Sequence, residues 1–251
     1  METTRTDEAW FVFPPRDNAT ADLFCLPHSG GGATAYRSWL EAFPAPVAVR
    51  PVQLPGRESR MGEKSEIDVG RIAEVVSSGG RPFALYGHSF GALLAFEVTR
   101  ELHRRELPLP ERLFLGACRP PWLAAEHAIR LGGLGDEEFV DAVMAMGGTA
   151  WDLRSEPELL AYLLRGARGD FEWMAAYRYV ETSPLPVPVV AIAGTEDPLA
   201  PADELAGWSV VTSAGFALHT VPGGHFFAQH QVDLTIRCLI SHWPGRPEGL
   251  S

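Results

Sequence analysis

The chain is poor in cysteine, in positive charge and in long apolar runs, and each shortage removes a class of protein. Three cysteines in 251 residues, Cys25, Cys118 and Cys238, are too few and too scattered for a disulfide framework. Their apolar neighbours mark them as reduced thiols in packed segments. Lys and Arg number 21 against 32 Asp and Glu, a net charge of −11 that repels a phosphate backbone and argues against nucleic acid as a partner. No stretch approaches the roughly 18 uninterrupted apolar residues of a membrane span. The opening METTRTDEAW has neither the basic nor the apolar part of a signal peptide, so a cytoplasmic protein with no membrane partner is expected. Metal-ligand spacings of His and Cys are missing, and Gly30-Gly31-Gly32 follows neither the P-loop nor the dinucleotide pattern. Neither a metal nor a cofactor is expected.

What remains is ample for a folded core: 46% of residues are apolar and 21% charged, in a length suited to one domain spanning 1–251. Apolar runs bounded by Gly, Pro and Asn predict seven strands, near Trp10–Phe13, Asp22–Leu26, Val47–Gln53, Phe83–Gly87, Arg112–Ala117, Val187–Ala193 and Phe216–Val221. Runs such as VVAIAG and FALYG are apolar on both faces, the mark of parallel strands covered by helices on each side. The fold class is therefore α/β, a mostly parallel sheet of about seven strands. About 65 residues separate the fifth and sixth strands, far more than a connecting loop needs, so a helical lid is expected over about 120–182. Its patterns are a helix from Asp136 stopped at Gly147-Gly148, a second capped by Ser155 with Glu158, and a third carrying Phe171 and Met174. The two ends, METTRTDEA and GRPEGLS, have the composition of flexible tails.

The strongest chemical signal is Gly87-His88-Ser89-Phe90-Gly91, which follows a buried strand pattern and opens an amphipathic helix, the context of a nucleophile elbow. A serine needs a base and an acid, supplied after later strands in the order Ser, acid, His. Asp197 follows the sixth strand, with Glu196 as its competitor. His225 follows the seventh strand through a Gly-Gly turn. The backbone N–H of Phe90, next to the nucleophile, and that of Ser29, in the Gly-rich loop after the second strand, are the candidate oxyanion donors. His28, Met144, Met146, Trp173 and Phe227 are candidates for the substrate pocket, with Trp151, Met174 and Tyr177 as further apolar lid residues.

Five segments together resemble one family. Leu26-Pro27-His28-Ser29-Gly30-Gly31, Gln53-Leu54-Pro55-Gly56-Arg57, Gly87-His88-Ser89-Phe90-Gly91-Ala92, Gly194-x-x-Asp197 and Gly223-Gly224-His225-Phe226 are similar to the type II thioesterases that accompany polyketide synthases and nonribosomal peptide synthetases. The resemblance runs from about Trp10 to Trp243 and implies an α/β-hydrolase fold with a flexible helical lid. It also implies a monomeric serine thioesterase that removes stalled or wrong acyl groups from the phosphopantetheine arm of acyl or peptidyl carrier proteins. Other readings of the same triad are a product-releasing thioesterase and a general carboxylesterase; a non-catalytic ligand-binding protein of this fold would have no use for all three residues. Three positions depart from the family: Ser29 where Ala is usual, Phe90 where Met is usual, and Gly169, within Arg168-Gly169-Asp170, where Ala is usual. Because the oxyanion contacts are backbone groups, the first two leave the chemistry intact, whereas Gly169 predicts a looser or kinked lid helix. Arg57, Arg60, Arg165 and Arg168 are candidates for a positive patch that meets an acidic carrier protein.

Overall fold

Six strands form where the two-faced apolar runs lie: β1 (Ala21–Leu26), β2 (Val47–Pro51), β3 (Phe83–His88), β4 (Arg112–Gly116), β5 (Val189–Gly194) and β6 (Phe216–Val221). The computed structural model describes residues 9–145 and 157–244, so the two tails lie outside the described residues apart from Ala9. All five pairings are parallel, in the order β2-β1-β3-β4-β5-β6. Such a sheet needs crossovers, and helices supply them: α1 (Val69–Ser77), α2 (Phe90–Arg104), a lid of α3 (Pro121–Gly132), α4 (Asp136–Ala145) and α5 (Pro157–Ala176), and finally α6 (Val232–Ser241). This is the doubly covered α/β sheet that the α/β-hydrolase expectation requires.

Strand side chains alternate between the faces, which is why the central strands β3 and β5 are buried along their whole length. Phe83 and Leu85 of β3 join Ile72 and Val76 of α1 and Leu93 and Phe96 of α2 in one cluster. Ala84 and Tyr86 join Tyr36, Trp39, Phe43 and the α6 residues Ile236 and Leu239 in the other. Burying one such side chain completely is worth about 1.5–3 kcal/mol, so these clusters set the sheet in place well before any polar contact matters.

The seventh expected strand, Trp10–Phe13, is irregular instead. Trp10 is buried beneath the Arg60 guanidinium and its carbonyl accepts one bond from Gln53 N–H, but Pro14 and Pro15 follow and a proline has no N–H to continue a ladder. In the lid, the second and third expected helices are one unbroken helix, α5, and α3 was not foreseen. Gly147-Gly148 and Ser155 lie outside the described residues. α5 also corrects the expectation at Gly169. The helix continues through it, and a Cβ there would come within 2.9 Å of Ser65 Oγ, so the missing side chain permits close packing. A glycine costs a helix about 1 kcal/mol. The next residue, Asp170, forms a buried ion pair with Arg57 that ties this turn of the helix to the chain around Arg57.

Candidate active site

β3 runs straight into Ser89, whose backbone is forced to φ 56° and ψ −119° before α2 begins. This conformation costs a serine roughly 1–3 kcal/mol, and it is held by the sheet on one side and by the Ser89 N–H bond to Gly116 O (2.8 Å) on the other. The flanking glycines make the turn possible: a Cβ on Gly87 would fall 2.0 Å from Gly91 O, and one on Gly91 2.2 Å from Leu26 O. Phe90 is the first residue of α2, so its N–H is among those with no acceptor inside the helix and is free for a negative charge.

Two loops at the carboxyl ends of later strands converge on Ser89. The Ser89 hydroxyl donates to His225 Nε2 at 2.9 Å, and His225 Nδ1–H donates to Asp197 Oδ2 at 2.8 Å. Both His225 and Asp197 are buried. The other carboxylate oxygen, Asp197 Oδ1, accepts from Leu199 N–H (2.9 Å) and Ala200 N–H (3.3 Å), which fixes the acid by its own turn. Glu196, the competitor, is exposed, and only its backbone takes part, through Glu196 N–H to Gly223 O.

A second histidine completes the frame. His88 is fully buried, and its Nε2–H donates to the His225 carbonyl at 2.7 Å while Tyr86 O–H donates to its Nδ1 at 3.0 Å. The two bonds assign the tautomer, and they pin the backbone that carries the base. Burial holds the pKa of His88 well below the usual range, helped by the nearby His225 and His28. Burial likewise lowers His28 to about 4, with His225 and Arg57 adding to it. His28 sits edge-on to Phe226, ring centroids 5.0 Å apart.

These two neutral imidazoles set a pH dependence. Unfolded histidine binds a proton below about 6.5, whereas folded His28 does so only near 4 and His88 also well below its usual value, so the unfolded state takes up more protons and stability rises with pH. Lowering the pH from 6.5 towards 4 is expected to cost at most about 1.4 kcal/mol per pH unit per imidazole. Urea midpoints measured across that range should fall steadily, and in His28→Asn they should fall less steeply.

In front of Ser89 lies a pocket of about 60 Å³, lined by Ser89, Phe90, Ala117, Cys118, Arg119, Ala124, Phe171, Met174, Leu199 and His225. Of the lid residues expected there, Met174 reaches it. Trp173 stands behind Phe90 instead, ring centroids 5.7 Å apart, and Tyr177 stacks on Trp173 and donates to Glu97 Oε1 at 2.6 Å. Phe227 is fully buried in the rear cluster against His88 rather than in the pocket, because the short helix after His225 turns it under the sheet edge. Met144 is half-buried on α4 and not part of the lining; Met146 and Trp151 lie outside the described residues. Residues 171 and 199 escaped sequence reading because an apolar residue on a helix or turn carries no mark of what it faces. The Cys118 thiol, pushed up to about 12 by burial, is not a nucleophile.

The Gly-rich loop 28–32 is held by the Gln53–Glu58 segment. Buried Gln53 accepts from Ala33 N–H (3.1 Å) and donates to Arg57 O (2.8 Å); Glu58 accepts from Thr34 N–H. Arg57, expected on the surface, is only 1% exposed and makes a two-point ion pair with Asp170 of α5, at 2.7 and 2.8 Å. Asp170 Oδ2 also accepts from Gly30 N–H at 2.8 Å, and Arg57 donates to Gly31 O at 3.2 Å. Arg60 is occupied by Glu63 and Gln53 O, and Arg168 lies over the Phe139 ring and donates to Leu134 O. Of the four arginines expected at a docking patch, Arg57 is thus removed from the surface; Arg60 and Arg168 are partly buried, and the Arg165 side chain lies outside the described set.

The Ser29 hydroxyl, in this loop, is buried without a hydrogen-bond partner among the described residues. An orphan hydroxyl costs desolvation and returns nothing. Ser29→Ala is thus expected to keep kcat within about threefold and to leave the melting temperature level or slightly higher, checked by steady-state hydrolysis and thermal unfolding.

Known proteins agree with this geometry. The thioesterase domain family matches residues 21–242. The chain is 35% identical over 225 residues to the thioesterase PikA5 of Streptomyces venezuelae, covering 87% of this chain and 79% of that one. Among solved structures, RedJ, the thioesterase of the prodiginine pathway in Streptomyces coelicolor, superposes with a TM-score of 0.82 at 32% identity, covering 92% and 97% of the two chains. BorB, the type II thioesterase of the borrelidin cluster, superposes with a TM-score of 0.80 at 33% identity, over 93% and 97%. With the elbow serine and the late-strand histidine meeting at the carboxyl ends of one parallel sheet and a helical lid inserted between β4 and β5, this chain belongs to the thioesterase domain family, among the type II thioesterases.

Proposed function

We propose that this thioesterase hydrolyses short acyl groups from the phosphopantetheine arm of acyl or peptidyl carrier proteins through an acyl-enzyme on Ser89. The observation that carries the reading is the continuous Ser89–His225–Asp197 chain of bonds opening on a pocket of about 60 Å³. Ser89 Oγ attacks the thioester carbonyl while His225 Nε2 takes its proton, and the oxyanion rests on the N–H groups of Phe90 and Ser29. The imidazolium, stabilised by Asp197, returns that proton to the departing thiolate. Water, deprotonated by His225, then attacks the acyl-serine, and the carboxylic acid leaves as Ser89 regains its proton. Every proton and electron pair moves between the substrate, water and these side chains, so the proposed route calls on no cofactor.

The pocket supports an editing role. It has room for about four to six waters at the 10–15 Å³ each requires, a volume that suits a short acyl group. Among the described residues no helix is long and apolar enough to cross a membrane; the proposed setting is a cytoplasmic monomer beside a synthase. The test is a hydrolysis panel of carrier proteins bearing acetyl, propionyl, malonyl and longer acyl groups, set against simple alkyl esters. Preference for short acyl carriers supports the proposal. Preference for full-length chains would make it a product-releasing enzyme, and preference for alkyl esters a general carboxylesterase.

A further inference from the structure

The buried Arg57–Asp170 pair has no part in the chemistry above, yet it touches both the loop that carries Ser29 and the helix that walls the pocket. Both side chains are almost wholly buried, 1% exposed for Arg57 and 0% for Asp170, a place where two apolar side chains would pack without any desolvation penalty. Their polar atoms are directed at main chain. Asp170 Oδ2 takes the N–H of Gly30, the peptide that leaves Ser29, and Arg57 Nη1 holds the carbonyl of Gly31. A carboxylate accepting from two guanidinium nitrogens and a peptide N–H fixes that peptide in direction as well as position.

We infer that the Arg57–Asp170 pair is a positioning device that aligns the Ser29 N–H for the oxyanion, and does so only while lid helix α5 is seated. The inference rests on the reading of Ser89 as nucleophile with Ser29 as an oxyanion donor. Three placements lead to it. Asp170 precedes Phe171 and stands one turn before Met174, both in the pocket wall, so one stretch of α5 encloses the acyl group and clamps the loop. One turn earlier, Gly166 lies against Gly30, where an added Cβ would sit 3.7 Å from Gly30 Cα. The far end of the loop is tied independently of the lid, by Gln53 to Ala33 and by Glu58 to Thr34. Lifting α5 therefore frees the Gly30 N–H, while Arg57 keeps the Gly31 carbonyl, and it leaves the Arg57 charge without its carboxylate. An open lid leaves the nucleophile intact with half of its oxyanion site out of line, which keeps an empty enzyme from turning over passing thioesters.

The test uses Asp170→Asn, Arg57→Lys and the paired Arg57→Met with Asp170→Leu, which removes both charges together and so avoids an uncompensated one. Each is measured for kcat and KM on a short acyl-pantetheine thioester. Each is also measured for affinity towards a short aldehyde, which adds to Ser89 and forms an oxyanion, and towards the unreactive thioether. Expected for the paired variant are a fall in kcat of about 30- to 100-fold, KM within threefold, an equal loss of aldehyde affinity and unchanged thioether affinity. A folded paired variant with kcat within threefold of wild type overturns the inference. The Ser89 reading fails separately, if Ser89→Ala retains activity. Should every variant unfold, amide exchange in the wild-type enzyme decides: the Gly30 amide should open together with the amides of 166–174, and independent exchange at Gly30 overturns the coupling.

Discussion

Ser89→Ala is expected to lower kcat by about 10⁵-fold or more, as removal of a triad member does elsewhere, while the protein folds normally. The lost contact is a single bond to His225, worth about 0.5–1.5 kcal/mol, so circular dichroism and the melting temperature should barely change. Alanine inherits the strained φ of 56°, whereas glycine does not. Ser89→Gly should therefore be as inactive as the alanine variant but more stable, because relief of roughly 1–3 kcal/mol of strain exceeds the 0.5–1 kcal/mol entropic cost of glycine. Residual turnover above about a hundredth of wild type in either variant would remove Ser89 from its role. Equal stabilities would show that the elbow is unstrained.

Asp197→Asn should be nearly as damaging, with kcat reduced about 10³- to 10⁴-fold at neutral pH and KM little changed. The amide can still accept from Leu199 and Ala200 through its oxygen, so the turn survives. Its NH₂ group then faces His225 Nδ1, which must become the acceptor. The ring proton moves to Nε2, and the base can no longer take a proton from Ser89. Glu196→Gln is the control, since Glu196 is exposed and only its backbone is engaged; activity within twofold is expected. A comparable loss there would reopen the choice of acid.

The sheet and the elbow were readable in the sequence because each rests on a local rule: strands covered on both faces are mostly apolar, and a strand-to-helix turn this tight admits only glycine two residues to either side of the serine. The base and acid were readable because parallel strands deliver their following loops to one edge. Arg57 was not. An arginine in a Pro-Gly-Arg turn reads as surface charge until its partner, 113 residues away on a lid helix, is placed beside it. Asp170 did carry a signal, a carboxylate adjoining the apolar Phe171 within a helix pattern, but nothing local said which cation met it. Trp10–Phe13 misled because its residues have strand propensity, while the two prolines after it decide whether a ladder can form. The two expected lid helices run together as α5 because no proline interrupts Leu159–Phe171, and isolated glycines at 166 and 169, at about 1 kcal/mol each, do not end a helix of this length.

The strand order also governs when the enzyme can first work. The nucleophile and its base are 136 residues apart in the chain, and the acid, the pocket wall and α6 all come after the central strands β1, β3 and β4. During synthesis at about 5–20 residues per second, the elbow leaves the ribosome many seconds before His225 exists. Ser89 thus spends that interval without a base, and the nascent chain is chemically silent. Parallel pairings of this kind are non-local, so closing the sheet is slow as well as late. Competence arrives in a single final event, when β6 adds to the sheet edge and the last helix covers it.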